Sequence, residues 1–263
     1  MKKAIYIGSA AGKQATLERS FEVIKDAGFD GVEIPTVSEK GELAKMKALS
    51  ASTGVEIHGI MNSGHWQFPL SSPDASVRKQ CKEGMVTSLE NAAELGASVV
   101  LLVPAVVNEQ VSYEDAMERS REGIEELLKT AEKLKVIIAV ENVWNKFLLS
   151  PIEFAEYVDS FKSKYLKAYF DVGNILLYGY PEQWIRTLGE RIVKVHLKDF
   201  RVNERSFVYL LQGNVNWKAV MTALKEVGYD DYLTAELFPP YPTCPEQTAY
   251  DASRHIDKIM GLA

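Results

Sequence analysis

The sequence predicts an α/β protein built as one (β/α)8 barrel, and three observations carry that expectation. Short apolar runs rich in Val, Ile and Leu alternate with longer stretches of helical periodicity, and the pair recurs about eight times. Eight such units in 263 residues match the size of a parallel barrel with its helices outside. The competing doubly wound open sheet would usually carry a Gly-rich turn after its first strand. The stretch Gly-Ser-Ala-Ala-Gly-Lys at 8–13 has neither the G-x-G-x-x-G nor the P-loop spacing. No linker, low-complexity tract or charge run breaks the alternation, so 1–263 reads as one domain.

Taken in order, the first strand is expected over 4–9 (AIYIGS), with a helix near 14–27. Its lysine-led start superficially resembles a secretory leader, but Gly8 and Ser9 break the apolar run, which favours a strand. The second strand spans 30–35 (DGVEIP) before a helix at 39–53, and the third spans 55–62 (VEIHGIMN) before a polar loop and a helix at 74–95. The fourth, 98–107 (SVVLLVPAVV), is apolar throughout, as a strand covered on both faces should be; a helix at 112–134 follows. Strands at 136–144, 166–174, 192–200 and 231–238 are followed by helices near 151–161, 181–189, 216–227 and 246–260. Gly28, Gly54, Gly96 and Gly228 each stand where a helix should end.

Composition narrows the function. Hydrophobic residues at 46% and charged residues at 25% are those of a globular domain. A formal charge of −6 gives nucleic acid no basic face to land on. No apolar stretch approaches the ~20 residues of a membrane span. Nothing suggests that Cys81 and Cys244 meet, so a reducing, cytoplasmic setting is expected. Four histidines and two cysteines cannot build a zinc ribbon.

Barrel chemistry sits at the C-terminal ends of the strands. The strands numbered two, five, six, seven and eight carry Glu33, Glu141, Asp171, His196 and Glu236 there. If Glu141 points inward, so do Ala139 and Ile137, while Val140 and Ile138 face the helices. Glu141, Asp171 and Glu236 would then converge at one mouth. Two like charges ~4 Å apart repel by roughly 4 kcal/mol at an effective dielectric of about 20, so three cannot all stay ionised without a cation. With His196 the set offers three hard oxygen donors and an imidazole, suited to Mn2+ or Mg2+ with open positions rather than to a closed zinc site. Each carboxylate alone is more often half of a structural ion pair, and His196 alone a satisfied core histidine; four such residues at the ends of the last four strands favour a metal site.

At these residues the chain resembles the xylose-isomerase-like TIM-barrel superfamily, in its sugar and sugar-phosphate isomerase/epimerase branch. The pieces that carry the resemblance are GFDGVEI (28–34), the AVEN of strand five, YFDVGN (169–174), KVHLKDF (194–200) and the run from Gln212 to Glu236. The resemblance implies that Glu141, Asp171, His196 and Glu236 hold a divalent metal, Mn2+ first, with Mg2+, Co2+ or Zn2+ also compatible. It further implies that Glu141 and Glu236 act as the two general acid/base groups on an enediolate of a small sugar, sugar phosphate or hydroxy-carbonyl acid. The metal set alone does not separate epimerisation from aldose–ketose isomerisation. Ketose 3-epimerases of the superfamily carry a histidine where this chain has Asn174, and an arginine where it has Val202, with Arg201 one residue earlier. That departure speaks against a free-ketose 3-epimerase of the tagatose/psicose type.

Further substrate-binding candidates are Glu33, His65 and Trp66 in the loop after strand three, Trp144, Asn174, Lys198 and Arg201. For Glu33 the competing role is an ion-pair partner. For His65, Trp66 and Trp144 it is packing, and for Lys198 and Arg201 a solvated loop charge. His58, in mid-strand, is expected in the core. The alternatives to an isomerase or epimerase are a dehydratase of the inosose or dehydroshikimate type and a non-catalytic sugar-binding barrel. The expected partner is a small carbohydrate, with neither nucleic acid nor membrane, and homo-oligomers are common among barrels of this branch.

Overall fold

The computed structural model describes residues 1–12, 14–238 and 241–262; Lys13 of the 8–13 turn lies outside them. Eight parallel strands close into a barrel: β1 (Lys2–Tyr6), β2 (Gly31–Pro35), β3 (Glu56–Met61), β4 (Val99–Leu102), β5 (Ile137–Glu141), β6 (Leu166–Asp171), β7 (Ile192–Leu197) and, after a short hairpin, β10 (Tyr232–Ala235). The ring runs β1-β10-β7-β6-β5-β4-β3-β2. Alternation along each strand divides the apolar residues into two bodies. Val99, Leu101, Ala139 and Tyr169 pack together inside the barrel, while Val100, Leu102, Ile138 and Val140 join the larger core beneath the helices. Ala139 and Val140 thus take the opposite sides that their one-residue offset requires.

The helices form because their ends are capped and one stripe of each is apolar. In α5 (Tyr113–Leu134) Ser112 and Asp115 form a reciprocal capping box, and Ile124, Leu127, Leu128 and Ala131 are buried. Asp74 caps α4 (Ala75–Leu95), and Gly96 at φ 78° lets the chain turn left-handed into β4, a conformation costly for any residue with a Cβ. Both cysteines are free, Cys81 buried and Cys244 exposed. Among the described residues no helix is long and apolar enough to cross a membrane.

Four departures from the expected elements have local causes. The first strand ends at Tyr6, because the hydroxyl of Ser9 donates to Leu237 O (2.6 Å) and accepts from Leu237 N–H (2.9 Å), drawing a helical turn, α1 (Ile7–Ala10), onto the loop after β10. β4 stops at Leu102, although the apolar run continues. Val103 N–H donates to His65 Nδ1, Pro104 has no N–H, and Val106 N–H donates to Ser71, so 103–107 is a buried loop rather than strand. β6 stops at Asp171, whose carboxylate accepts from Asn174 N–H and caps the short α7 (Val172–Ile175). Beyond Leu197 the chain enters an antiparallel hairpin of β8 (Asp199–Arg201) and β9 (Ser206–Val208) instead of prolonging β7.

Asp199 fastens that hairpin. Its buried carboxylate accepts from Phe200 N–H (2.9 Å), Gly213 N–H (3.0 Å), Val215 N–H (3.2 Å) and the Trp217 indole (3.2 Å). The chain approaches so closely that a Cβ on Gly213 would lie 2.1 Å from Asp199 Oδ1. Replacing Asp199 by Ala strands these donors and should lower the unfolding free energy by about 3 kcal/mol or more, read from urea denaturation. An effect below about 1 kcal/mol would show that the loop closes without it.

Candidate metal centre

Strand register assembles the site. β6 and β7 pair Asp171 with His196 directly, and β5 and β6 pair Glu141 with Tyr169, two residues before Asp171. β7 and β10 pair His196 with Thr234, which places Glu236 two residues further toward the mouth. One donor atom from each of Glu141, Asp171, His196 and Glu236 lies within 4.8 Å of all the others.

The two nitrogens of His196 face different surroundings. Nε2 lies 2.8 Å from Glu33 Oε2, below the mouth. Nδ1 faces upward, 3.2 Å from Glu141 Oε1 and 2.9 Å from Glu236 Oε2. Glu33 is fully buried, and its other oxygen accepts from the Tyr169 hydroxyl at 2.8 Å. Burial first, then the Glu33 charge, pushes the Tyr169 phenol well up, so it stays a donor. Burial alone would push the His196 imidazolium down, but Glu33 and Glu236, with the hydrogen bond to Glu141, outweigh it and raise its pKa.

Lys198 enters the same cluster. Its ammonium is 2.6 Å from Glu236 Oε2 and 2.9 Å from Asp171 Oδ2, although the latter oxygen accepts no well-aligned hydrogen bond. Lys198 and His196 overcome burial and hold the Glu236 carboxyl well below the usual range. Glu141 is more enclosed, and burial pushes its carboxyl up to about 7 against the pull of His196 and Lys198.

These residues fit a divalent cation. With Nε2–H donated to Glu33, the Nδ1 lone pair points at two carboxylate oxygens, an arrangement that needs either a proton or a metal between them. Among the described residues, Glu33, Glu141, Asp171 and Glu236 bring four carboxylates to a cluster whose permanent cation is Lys198. Asp171 Oδ2, buried and poorly satisfied, is a fourth donor turned toward the same space. A carboxylate behind a ligating imidazole fixes its tautomer and raises its basicity. Glu33→Gln should therefore weaken Mn2+ binding by about 10- to 100-fold in calorimetric titration. Unchanged affinity would remove Glu33 from this role.

The other candidates separate. Glu33 is fully buried, and both of its oxygens are engaged within the barrel, by the Tyr169 hydroxyl and by His196 Nε2. His65 is buried too; its Nδ1 accepts from Val103 N–H, burial lowers its pKa to about 4 against the opposing pull of Glu236, and the neutral ring anchors the loop. Its neighbour Trp66 is 52% exposed and meets it edge-on. Trp144, 40% exposed, donates to Asn174 O and stacks on Phe207 with ring centroids 4.8 Å apart. The Asn174 amide donates to Asn142 O, so it braces the strand ends instead of reaching outward. Arg201, on the hairpin, donates to Gln212 O and pairs with Glu204.

Several contributors were not singled out from the sequence. Tyr169 precedes Asp171 by two residues and shares its face, a spacing that could have marked it. Asn142 exchanges two 2.8 Å hydrogen bonds with the Asp171 backbone and sets the height of that carboxylate. Phe207 becomes visible only once the hairpin is formed.

Comparison with known proteins places these features in context. The family model described as xylose isomerase-like TIM barrel matches residues 21–259. The L-ribulose-5-phosphate 3-epimerase UlaE of Escherichia coli O1:K1 / APEC is 28% identical over 266 residues, covering 97% of this chain and 90% of that protein. UlaE of Salmonella paratyphi C (strain RKS4594) is 27% identical over 236 residues, covering 86% and 83%. Among solved structures, a D-tagatose 3-epimerase-like protein superposes with a TM-score of 0.86 at 22% identity, covering 100% of this chain and 98% of that one. IOLI protein with a bound zinc atom superposes with a TM-score of 0.82 at 20% identity, covering 99% and 98%. These two likenesses are of fold.

Proposed function

Because the chain belongs to the xylose isomerase-like TIM barrel family, we propose that it is a divalent-metal-dependent epimerase of a small ketose or ketose phosphate, inverting the carbon beside the carbonyl. The observation that carries this reading is that two carboxylates from different strands, Glu141 and Glu236, both reach His196 Nδ1, at 3.2 and 2.9 Å. The epimerase names of the curated relatives support the same class. Glu141, Asp171, His196 and Glu236 would hold the cation, with Mn2+ the best match to three carboxylates and one imidazole. When bound, it supplies Lewis acidity to a substrate carbonyl and the hydroxyl beside it.

The chain's own residues account for the proton traffic. Glu236, the more exposed of the two, is assigned the base for one direction, and Glu141, the more enclosed, the acid. Removal of the C–H proton by one and its return by the other on the opposite face inverts that carbon, and the roles exchange in the reverse direction. Trp66 and the stacked pair Trp144 and Phe207 offer apolar surface to the C–H side of a sugar. The reaction is best sought by incubating ketoses and ketose phosphates with Mn2+ in D2O. Deuterium should appear by NMR at the carbon next to the carbonyl, together with the epimer. No exchange into any of them would overturn the proposal.

A further inference from the structure

We infer that Lys198 is the resident counter-ion of this site: its ammonium holds oxygens that a divalent cation needs, and it turns aside when the cation enters. The inference rests on the divalent-cation reading above. Lys198 Nζ stands 2.6 Å from Glu236 Oε2, the same oxygen that faces His196 Nδ1 at 2.9 Å. It also stands 2.9 Å from Asp171 Oδ2, the one Asp171 oxygen not used in capping α7, which Oδ1 does through Asn174 N–H. A metal held by Asp171, His196 and Glu236 must draw on these same two oxygens. Two positive charges crowded on the same carboxylates repel each other, so cation entry and the present seat of Lys198 oppose one another.

The surroundings allow the side chain to move and hold its backbone still. A Cβ on Gly173 would lie 2.6 Å from Lys198 Cβ and 2.9 Å from its carbonyl oxygen, so the chain leaving β7 runs hard against α7 at that point. Asp199, the next residue, is clamped by its four hydrogen bonds. Only the side chain beyond Cβ has freedom. Beside it opens a cavity of about 60 Å3 lined by Phe207, Tyr209, Leu237 and the flank of Glu236. The Phe207 ring is already 5.9 Å from Nζ and offers the ammonium a π face. The metal-free site is thus partly balanced from within, which lessens the repulsion among its carboxylates.

Two measurements test this. In calorimetric titration with Mn2+, Lys198→Met should bind about tenfold more tightly than wild type, since the charge-assisted contact that entry must break is gone. The metal-free variant should melt at a lower temperature than metal-free wild type. In wild-type protein, acetic anhydride should modify Lys198 several-fold faster when Mn2+ is saturating, as read by mass spectrometry of its peptide; this measurement does not depend on the variant folding. Equal or weaker Mn2+ binding by Lys198→Met, or unchanged or slower acetylation of Lys198 on loading, would overturn the inference. If the wild type takes up no Mn2+ at all, the divalent-cation reading itself has failed and the inference goes with it.

Discussion

Glu236→Gln should slow exchange of the substrate C–H with solvent deuterium by about 10²- to 10⁴-fold while leaving the barrel folded. The amide preserves the shape and a hydrogen-bonding oxygen but cannot take up a proton at working pH. The position lies at the end of β10, with its side chain 23% exposed toward the mouth, so the substitution opens no cavity. The same loss is expected for Glu141→Gln, because an inversion needs a base on each face and neither can serve both. Circular dichroism should remain that of the wild type, and the assay must be run at saturating Mn2+ so that weakened metal binding does not masquerade as lost proton transfer. Turnover within a few-fold of wild type in either variant would remove that carboxylate from the acid–base pair.

The second large effect is metal removal. Exhaustive chelation should abolish turnover and also lower the melting temperature. A ligand that binds only the folded state adds about 2.7 kcal/mol when present at ~100 times its dissociation constant. For a chain of this size each kcal/mol moves the midpoint by roughly 2–4 °C, so re-addition of Mn2+ should raise it by about 5–10 °C and restore activity. The gain is read against metal-free protein whose carboxylates are balanced only by Lys198 and by a protonated His196. Full activity after rigorous chelation would mean that the site works on its own cations.

The barrel was legible because its signal is repetitive: every βα unit restates the same alternation, and an error in one boundary leaves the others intact. The inward line of Ile137, Ala139 and Glu141 followed from period two alone. Boundaries failed where a side chain competes with the sheet for backbone groups, as Ser9 does for the 237 peptide, Asp171 for Asn174 N–H and His65 for Val103 N–H. Such competition is invisible to hydrophobic periodicity. Gathering of the four donors was foreseeable from their strand ends. The placement of Glu33 was not, because its partner lies 163 residues away and depends on the depth at which two distant strands cross the interior. Lys198 was closer to being readable. It follows His196 by two residues, and the inward alternation of β7, carried one residue past the strand's end at Leu197, already aims it at the same mouth.

The hydrogen bond between Glu33 and His196 has a consequence for assembly. β2 and β7 are not neighbours; β1 and β10 stand between them, and the pairing of β1 with β10 is what joins the first strand of the chain to the last. A half-zipped cylinder could already align Glu141, Asp171 and His196 along three adjacent staves, yet its imidazole would remain free to swivel. Only sealing of the last seam locks that ring, so the proposed cation would be taken up tightly by the completed circle alone, and its uptake would witness that the first and last strands have met.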